Sequence, residues 1–155
     1  MSARSAGRVA VLRALGVLLV PVALAGCSRP VEVSLPVSAS DPACVAAGAR
    51  WPATVSGEQP VPVSPQSPAV RAWGAPAVIA RCGLPSPGPT TDECLAVDGV
   101  DWVVTPLSDG TKFVTYGRSP AIEVLVPRRY APEPLLLPAF SPAARALPTT
   151  GRHCS

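Results

Sequence analysis

The chain has 155 residues, which is enough for one domain and little more. It carries 13 Lys and Arg against 10 Asp and Glu, but three arginines and no acid precede Cys27. The rest is formally neutral and has no basic stripe with interleaved aromatics, which argues against a nucleic-acid partner. Proline occurs 21 times, which excludes long uninterrupted helices and restricts strands to short or edge positions.

The N-terminus has the pattern of a secretory signal. Residues 1–13 are basic and acid-free, and residues 14–25 form an apolar run too short to span a membrane. The run ends in Leu24-Ala25-Gly26-Cys27, which resembles the lipobox of bacterial lipoproteins. The motif predicts removal of residues 1–26 and lipid attachment, including palmitate, at Cys27. An ordinary signal peptide with a chance cysteine and an uncleaved anchor are the alternatives.

This N-terminus predicts a protein anchored to the cell membrane by lipid, on the extracytoplasmic face. Residues 27–40 are rich in Pro and Ser and predict a tether. Asp41 is a preferred N-cap and Pro42 suits the first helical position, so a helix is expected from there to Trp51. Residues 52–70 predict a long Pro/Ser-rich loop.

Four strand candidates follow, at residues 76–83, 95–104, 111–117 and 121–127. Asp98-Gly99 predicts a bulge or tight bend, and Ser108-Asp109-Gly110 predicts a hairpin turn. Ser141 and Pro142 begin a second helix. We therefore expect residues 41–155 to form a single α+β domain, a mostly antiparallel sheet of three to four strands with an N-terminal and a C-terminal helix.

Without Cys27, four cysteines remain, and an even number in an exported protein predicts two disulfides with three possible pairings. The strand that ends at Cys82 and the strand that begins at Cys94 would form a hairpin with a long loop, and a Cys82–Cys94 bond would close that loop. This pairing is favoured, and it leaves Cys44–Cys154 to join the two ends of the domain. A metal site that includes His153 is the alternative, but no C-x2-C or H-x3-H spacing supports it. The sequence therefore predicts neither a metal nor a cofactor.

Short motifs spread over residues 41–147 resemble an actinobacterial family called domain of unknown function 3515. The matching elements are Trp73-Gly74-Ala75-Pro76, Arg81-Cys82-Gly83, Gly99-Val100-Asp101-Trp102, Gly117-Arg118 and Val126-Pro127. The resemblance implies an envelope protein of high-GC Gram-positive bacteria. It implies no catalytic residues, because the activity of the family is unassigned.

Five residues in or beside these motifs are candidates for a binding patch: Trp73, Arg81, Asp101, Trp102 and Arg118. Charged groups beside two indole rings suit a glycan or a peptide. The alternative is structural, with Arg81 and Asp101 as a cross-strand ion pair and the tryptophans in the core.

A second candidate is an acid pair or weak Ca²⁺ site formed by Asp98 and Asp101 if the Gly99 bend brings them together; the alternative is ordinary turn and surface carboxylates. His153, the single histidine, is near the end of the chain, which is a poor position for a general base. No nucleophile elbow is present.

These observations favour a non-catalytic binding or interaction module of the cell envelope. The membrane is a partner through the N-terminal lipid, and an envelope protein or a cell-wall glycan is the expected ligand. The alternative is an envelope hydrolase or cell-wall-modifying enzyme that uses Asp98, Asp101 or Glu123.

Overall fold

The computed structural model describes residues 29–154. The predicted signal peptide and the predicted lipid-attachment site at Cys27 lie outside these residues. Nine strands are present among them, β1 to β9: Val31–Glu32, Pro60–Val61, Val63–Ser64, Val70–Trp73, Val78–Leu84, Cys94–Val97, Val100–Pro106, Gly110–Tyr116 and Ala121–Pro127. Strands β1 and β3 form a small parallel pair, and the other seven form one antiparallel sheet in the order β2-β4-β5-β9-β8-β7-β6.

The helical elements of the described chain are short. Helix α1 is Pro42–Gly48 and helix α2 is Ser141–Arg145, and two 3-10 segments, Arg128–Tyr130 and Glu133–Phe140, precede α2. The expected start of α1 is confirmed, because the Asp41 carboxylate accepts from the Ala43 amide at 2.7 Å.

The expected fold class was wrong, because the structure is mostly β with a seven-stranded sheet. Three unexpected strands explain the difference. The Pro/Ser-rich connector contains β2, whose Pro60 is tolerated because β2 lies at the edge of the sheet, and β4 lies at Val70–Trp73, where no strand was expected. The segment predicted as one strand over 95–104 is two strands, β6 and β7.

The turn between β6 and β7 consists of two residues, Asp98 and Gly99, with φ of 50° and 73°. Two consecutive positive φ angles are typical of the tight hairpin turn that an Asp-Gly sequence favours. The predicted hairpin across Ser108-Asp109-Gly110 is confirmed, since β7 pairs with β8.

The core lies between the large sheet and the helical segments. Alternate residues of the central strands point to it, including Val78, Ala80 and Cys82 of β5, which are all fully buried. The helical side adds Phe140 and Leu137, which are also fully buried. Both helices pack on this inner face of the sheet, α1 against β5 and α2 against β7.

The segment expected to be a tether associates with the domain from Val31 onward. The Val31 amide donates to the Pro62 carbonyl at 2.8 Å, and the Ser38 amide donates to the Gly83 carbonyl at 3.1 Å. The folded domain therefore begins about ten residues earlier than its predicted boundary at Asp41, because β1 pairs with β3 of the connector and the Ser38 amide bonds to β5.

Candidate functional site

The two tryptophans of the predicted patch belong to the core. Trp73 and Trp102 are both fully buried. The Trp73 ring packs edge-on against Phe140, with 5.5 Å between ring centroids, and its Nε1 donates to the Pro52 carbonyl at 3.1 Å. Neither indole can therefore serve as an exposed stacking platform for a ligand.

Arg81 was expected to pair with Asp101, and this was wrong. Its Nε donates to Glu123 Oε1 at 2.6 Å, and its Nη1 donates to the Ser34 carbonyl at 3.0 Å. The reason is strand order: Arg81 of β5 is directly opposite Glu123 of β9, whereas Asp101 is on β7, beyond β8. Arg81 thus joins the sheet to the N-terminal segment.

Asp101 holds the C-terminal tail. Its Oδ2 accepts from the Cys154 amide at 3.1 Å, and His153 Nδ1 lies 3.1 Å from the same oxygen. Arg118 also holds the C-terminal region, because its Nη1 donates to the Leu147 carbonyl at 3.0 Å. Asp101 and Arg118 line one small cavity and both hold the C-terminal region, whereas Arg81 holds the N-terminal segment, so the three residues form no single patch.

The four cysteines are disulfide-bonded as predicted, but the favoured pairing was wrong. The bonds are Cys44–Cys82 and Cys94–Cys154. Cys82 and Cys94 cannot close a hairpin, since three strands lie between β5 and β6 in the sheet. The first bond joins α1 to the inner face. The second joins the C-terminal tail to the opposite, outer face.

The acids considered for catalysis lie in three different settings. Asp98 is exposed in the β6–β7 turn, where its backbone carbonyl accepts from Arg145 at 2.8 Å. Asp101 is bonded to the tail, and Glu123 is paired with Arg81. Within residues 29–154, no three His, Cys, Asp or Glu side chains are grouped in a way that suits a metal ion.

The helices of residues 29–154 pack on the inner face of the sheet and leave its outer face uncovered. One row in register crosses four strands as Ile79, Leu125, Lys112 and Thr105, all half-buried. Val114 lies beside this row and is also half-buried. We call these five residues the outer-face row. It borders a cavity of about 150 Å³ that Leu107 and Pro127 help to line.

The outer-face row lies between the segment around Ser34 and the C-terminal tail around Cys154. Arg81 and Ser34 hold the N-terminal segment beside it, and Cys94 and Asp101 hold the C-terminal tail on the far strands. The sequence indicated this outer face through the alternation of β9, where Glu123 and Leu125 point away from Ile122 and Val124.

The comparisons with known proteins agree with this chain-wide pattern of motifs. A family model described as a protein of unknown function (DUF3515) matches residues 8–150. The chain belongs to this family. Of the family-like motifs, Arg81 and Arg118 hold peripheral segments, and Gly99 makes the β6–β7 turn.

No curated protein and no solved structure matches the chain. Among residues 29–154, none of the helices has the length and apolar character needed to cross a bilayer.

Proposed function

We propose that this member of the family is a lipid-anchored module of the cell envelope, which binds another envelope component through the outer-face row. The anchor is Cys27, on the outer face of the cytoplasmic membrane. The observation that carries the proposal is the outer-face row itself, an aliphatic surface with one lysine that no helix of residues 29–154 covers and that the Ser34 segment and the C-terminal tail border.

The cellular location is supported by two independent features of the chain. The lipobox-like Leu24-Ala25-Gly26-Cys27 follows a basic and then an apolar segment. Four of the five cysteines form disulfides, which persist in oxidising compartments and are rare in the cytosol.

A protein partner is favoured over a cell-wall glycan. Glycan sites commonly use exposed aromatic rings, and Trp73 and Trp102 are both fully buried. The outer-face row offers Ile79, Val114 and Leu125 with a single lysine, which agrees with the depletion of charged residues at the cores of interfaces between proteins.

A hydrolase receives less support, because the carboxylates considered for catalysis bind different partners and do not face one another. Glu123 is paired with Arg81 at 2.6 Å, and Asp101 is bonded to the Cys154 amide at 3.1 Å. A glycoside hydrolase needs two carboxylates that face one substrate bond, with one of them free to carry a proton.

Metabolic labelling with a palmitate analogue tests the anchor. We expect label on the unsubstituted protein and on the Ser28→Ala variant, whose change lies beside the acylation site, and none on the Cys27→Ala variant. Label that persists after Cys27→Ala would contradict the proposed attachment site.

Photo-crosslinking in the native membrane tests the binding surface. A photoreactive residue replaces Lys112 in the outer-face row, and a matched one replaces Leu135, which is 72% exposed on a 3-10 segment on the other side of the molecule. We expect a discrete protein adduct from position 112 only. Recovery of lipid and wall polymer alone would reject a protein partner.

A further inference from the structure

The two disulfides differ in how far solvent reaches them. Cys44 and Cys82 are both fully buried, where helix α1 packs on the inner face of the sheet. Cys94 and Cys154 are half-buried, and their bond lies on β6, at the edge of the sheet. A thiolate must reach a disulfide sulfur to attack it, so exposed disulfides exchange more readily than buried ones. In the folded domain, the Cys94–Cys154 bond is therefore the more open of the two to attack.

The tail residues next to this bond have few other attachments. In the part of the chain that the structure describes, three polar contacts besides the disulfide hold residues 151–154. Arg152 Nη1 donates to the Pro87 carbonyl at 3.2 Å, and Asp101 Oδ2 accepts from the Cys154 amide and lies 3.1 Å from the ring of the preceding histidine. Exposed polar contacts are individually weak. The disulfide therefore decides whether this segment stays on the sheet.

The tail lies beside an aliphatic residue that faces outward. Val103 of β7 is on the outer face, directly opposite Cys94 of β6 and Val114 of β8. It is 6% exposed, although the helices of residues 29–154 pack on the other face. Cys154 is bonded to Cys94 and to Asp101, which flank Val103 on the outer face. From these contacts we infer that the tail covers Val103.

We propose that the Cys94–Cys154 bond is a thiol–disulfide exchange site, whose reduction by a dithiol frees residues 151–154 and uncovers Val103. The uncovered valine adjoins Val114 and enlarges the aliphatic part of the outer-face row. Exposed disulfides are the class that serves labile and regulatory purposes. The enlargement would regulate the proposed binding surface and so rests on the proposed function, whereas the exchange itself does not.

The exchange is balanced by a reductant that carries two neighbouring thiols. One of its thiolates attacks Cys154 Sγ, forms a mixed disulfide and releases Cys94 as a thiolate. The second thiolate of the reductant then attacks the reductant's own sulfur in the mixed disulfide, which releases Cys154. Two electrons pass from the dithiol to the bond, and the two protons that the dithiol loses are replaced on the two cysteines from water. The reverse steps close the bond again.

Alkylation under native conditions tests the exchange site. The full-length protein, extracted from its membrane in detergent, is treated with dithiothreitol, and free thiols are alkylated at successive times and located by mass spectrometry. We expect alkylation of Cys94 and Cys154 to be at least about tenfold faster than that of Cys44 and Cys82, because solvent reaches the buried bond after unfolding. Equal rates, or faster alkylation of the buried pair, would overturn the exchange site.

Methyl relaxation by a soluble paramagnetic agent tests whether Val103 is uncovered. With the buried disulfide still intact, reduction should raise the relaxation enhancement of the Val103 methyl groups at least about threefold, because the agent reaches exposed side chains. The fully buried Val124 is the matched control and should not change. The Cys94→Ser/Cys154→Ser variant should show the same rise without any reductant. An unchanged Val103 signal in the selectively reduced protein would overturn the release of the tail.

Photo-crosslinking separates the regulation from the proposed function. A photoreactive residue at position 112 is compared in native membranes with and without Cys94→Ser/Cys154→Ser. We expect at least about threefold more protein adduct from the variant, because a partner can then bury more aliphatic surface. Equal adduct yields would overturn the regulation. If Val103 is uncovered but neither protein gives an adduct, the proposed function is overturned and the exchange site is supported alone.

Discussion

Arg81 and Glu123 face each other on adjacent strands, and the Arg81 Nε donates to Glu123 Oε1 at 2.6 Å. The pair belongs to a row in register across the outer face, which continues through Val114 and Val103 to Cys94. At one end of this row Arg81 holds Ser34 of the N-terminal segment, and at the other Cys94 holds the C-terminal tail. Among the described residues, the N-terminal segment at Ser34 and the C-terminal tail at Cys154 are thus fixed to a single line of side chains.

Loss of Arg81 is expected to destabilise the domain substantially. The Glu123 side chain is 5% exposed, so the Arg81→Met variant leaves a buried carboxylate without its partner. We expect a loss of about 2–4 kcal/mol in the free energy of unfolding. Adding Glu123→Leu to Arg81→Met should restore most of the lost stability, because no unpaired buried charge then remains. Urea unfolding measures the free energy of unfolding of the single and the double variant.

The matched control is Arg129→Met, which breaks the ion pair with Glu58. Those side chains are 54% and 30% exposed, so the pair contributes about 1 kcal/mol or less. If Arg81→Met and Arg129→Met lower the free energy of unfolding equally, the buried Arg81–Glu123 pair stabilises the domain no more than the exposed pair does, which would contradict this prediction.

The disulfide connectivity predicts a specific set of linked peptides. Trypsin alone leaves Cys82 and Cys94 in one peptide, so cleavage after Glu93 is also needed. Without reduction, residues 82–93 should be linked to the peptide with Cys44, and residues 94–112 to the C-terminal tripeptide. A link between 82–93 and 94–112 would refute this pairing.

Each bridge is expected to stabilise the domain to a similar extent. The loops close over sequence separations of 38 and 60 residues, for which the chain-entropy model gives about 4 kcal/mol each. The paired variants Cys44→Ala/Cys82→Ala and Cys94→Ala/Cys154→Ala should both lower the urea midpoint strongly. A bridge whose removal leaves the midpoint unchanged would contradict its formation in the protein.

Gly117 and Gly99 form a matched pair for testing how the tail packs. Their φ angles are 71° and 73°, but a Cβ on Gly117 would collide with the Arg152 carbonyl, whereas a Cβ on Gly99 meets open space. Gly99→Ala should cost about 1 kcal/mol from backbone strain alone. Gly117→Ala should cost about 1–3 kcal/mol more, because the tail must move. Equal unfolding free energies for the two variants would show that the tail does not pack there.

The parts of the fold that the sequence predicted correctly are local. The N-cap at Asp41, the turn at Ser108-Asp109-Gly110 and the strand over 121–127 each depend on residues close together in the chain. Such features follow from side-chain capping, turn conformation and strand alternation.

The order of the strands could not be read from these local patterns. Strand β5 pairs with β9, so Arg81 meets a residue 42 positions away instead of the nearer Asp101. The disulfide pairing failed for the same reason, because Cys82 and Cys94 are close in sequence and far apart in the sheet. The candidate patch was taken from the family-like motifs, and the structure separates its members: the two tryptophans are buried in the core, and Arg81 holds a different segment from Asp101 and Arg118.

Tyr130 is expected to make stability depend on pH in the alkaline range. The side chain is buried and its hydroxyl donates to the Pro76 carbonyl at 3.0 Å. Burial, followed by the nearby Glu58 carboxylate, raises the pKa of Tyr130 above its ordinary value of 10.0. The unfolded chain therefore loses this proton at a lower pH than the folded chain does.

The sign of the effect follows from that order of ionisation. Below pH 10 the phenol is neutral in both states, and its contribution to stability is complete. As the pH rises above 10, only the unfolded state ionises at first, so the free energy of unfolding falls until the folded pKa is passed. Urea unfolding from about pH 8 to 11 should show a steeper decline for the unsubstituted protein than for Tyr130→Phe, whose other titrating groups are the same. Parallel declines would mean that the Tyr130 phenol has the same pKa in the folded and unfolded states.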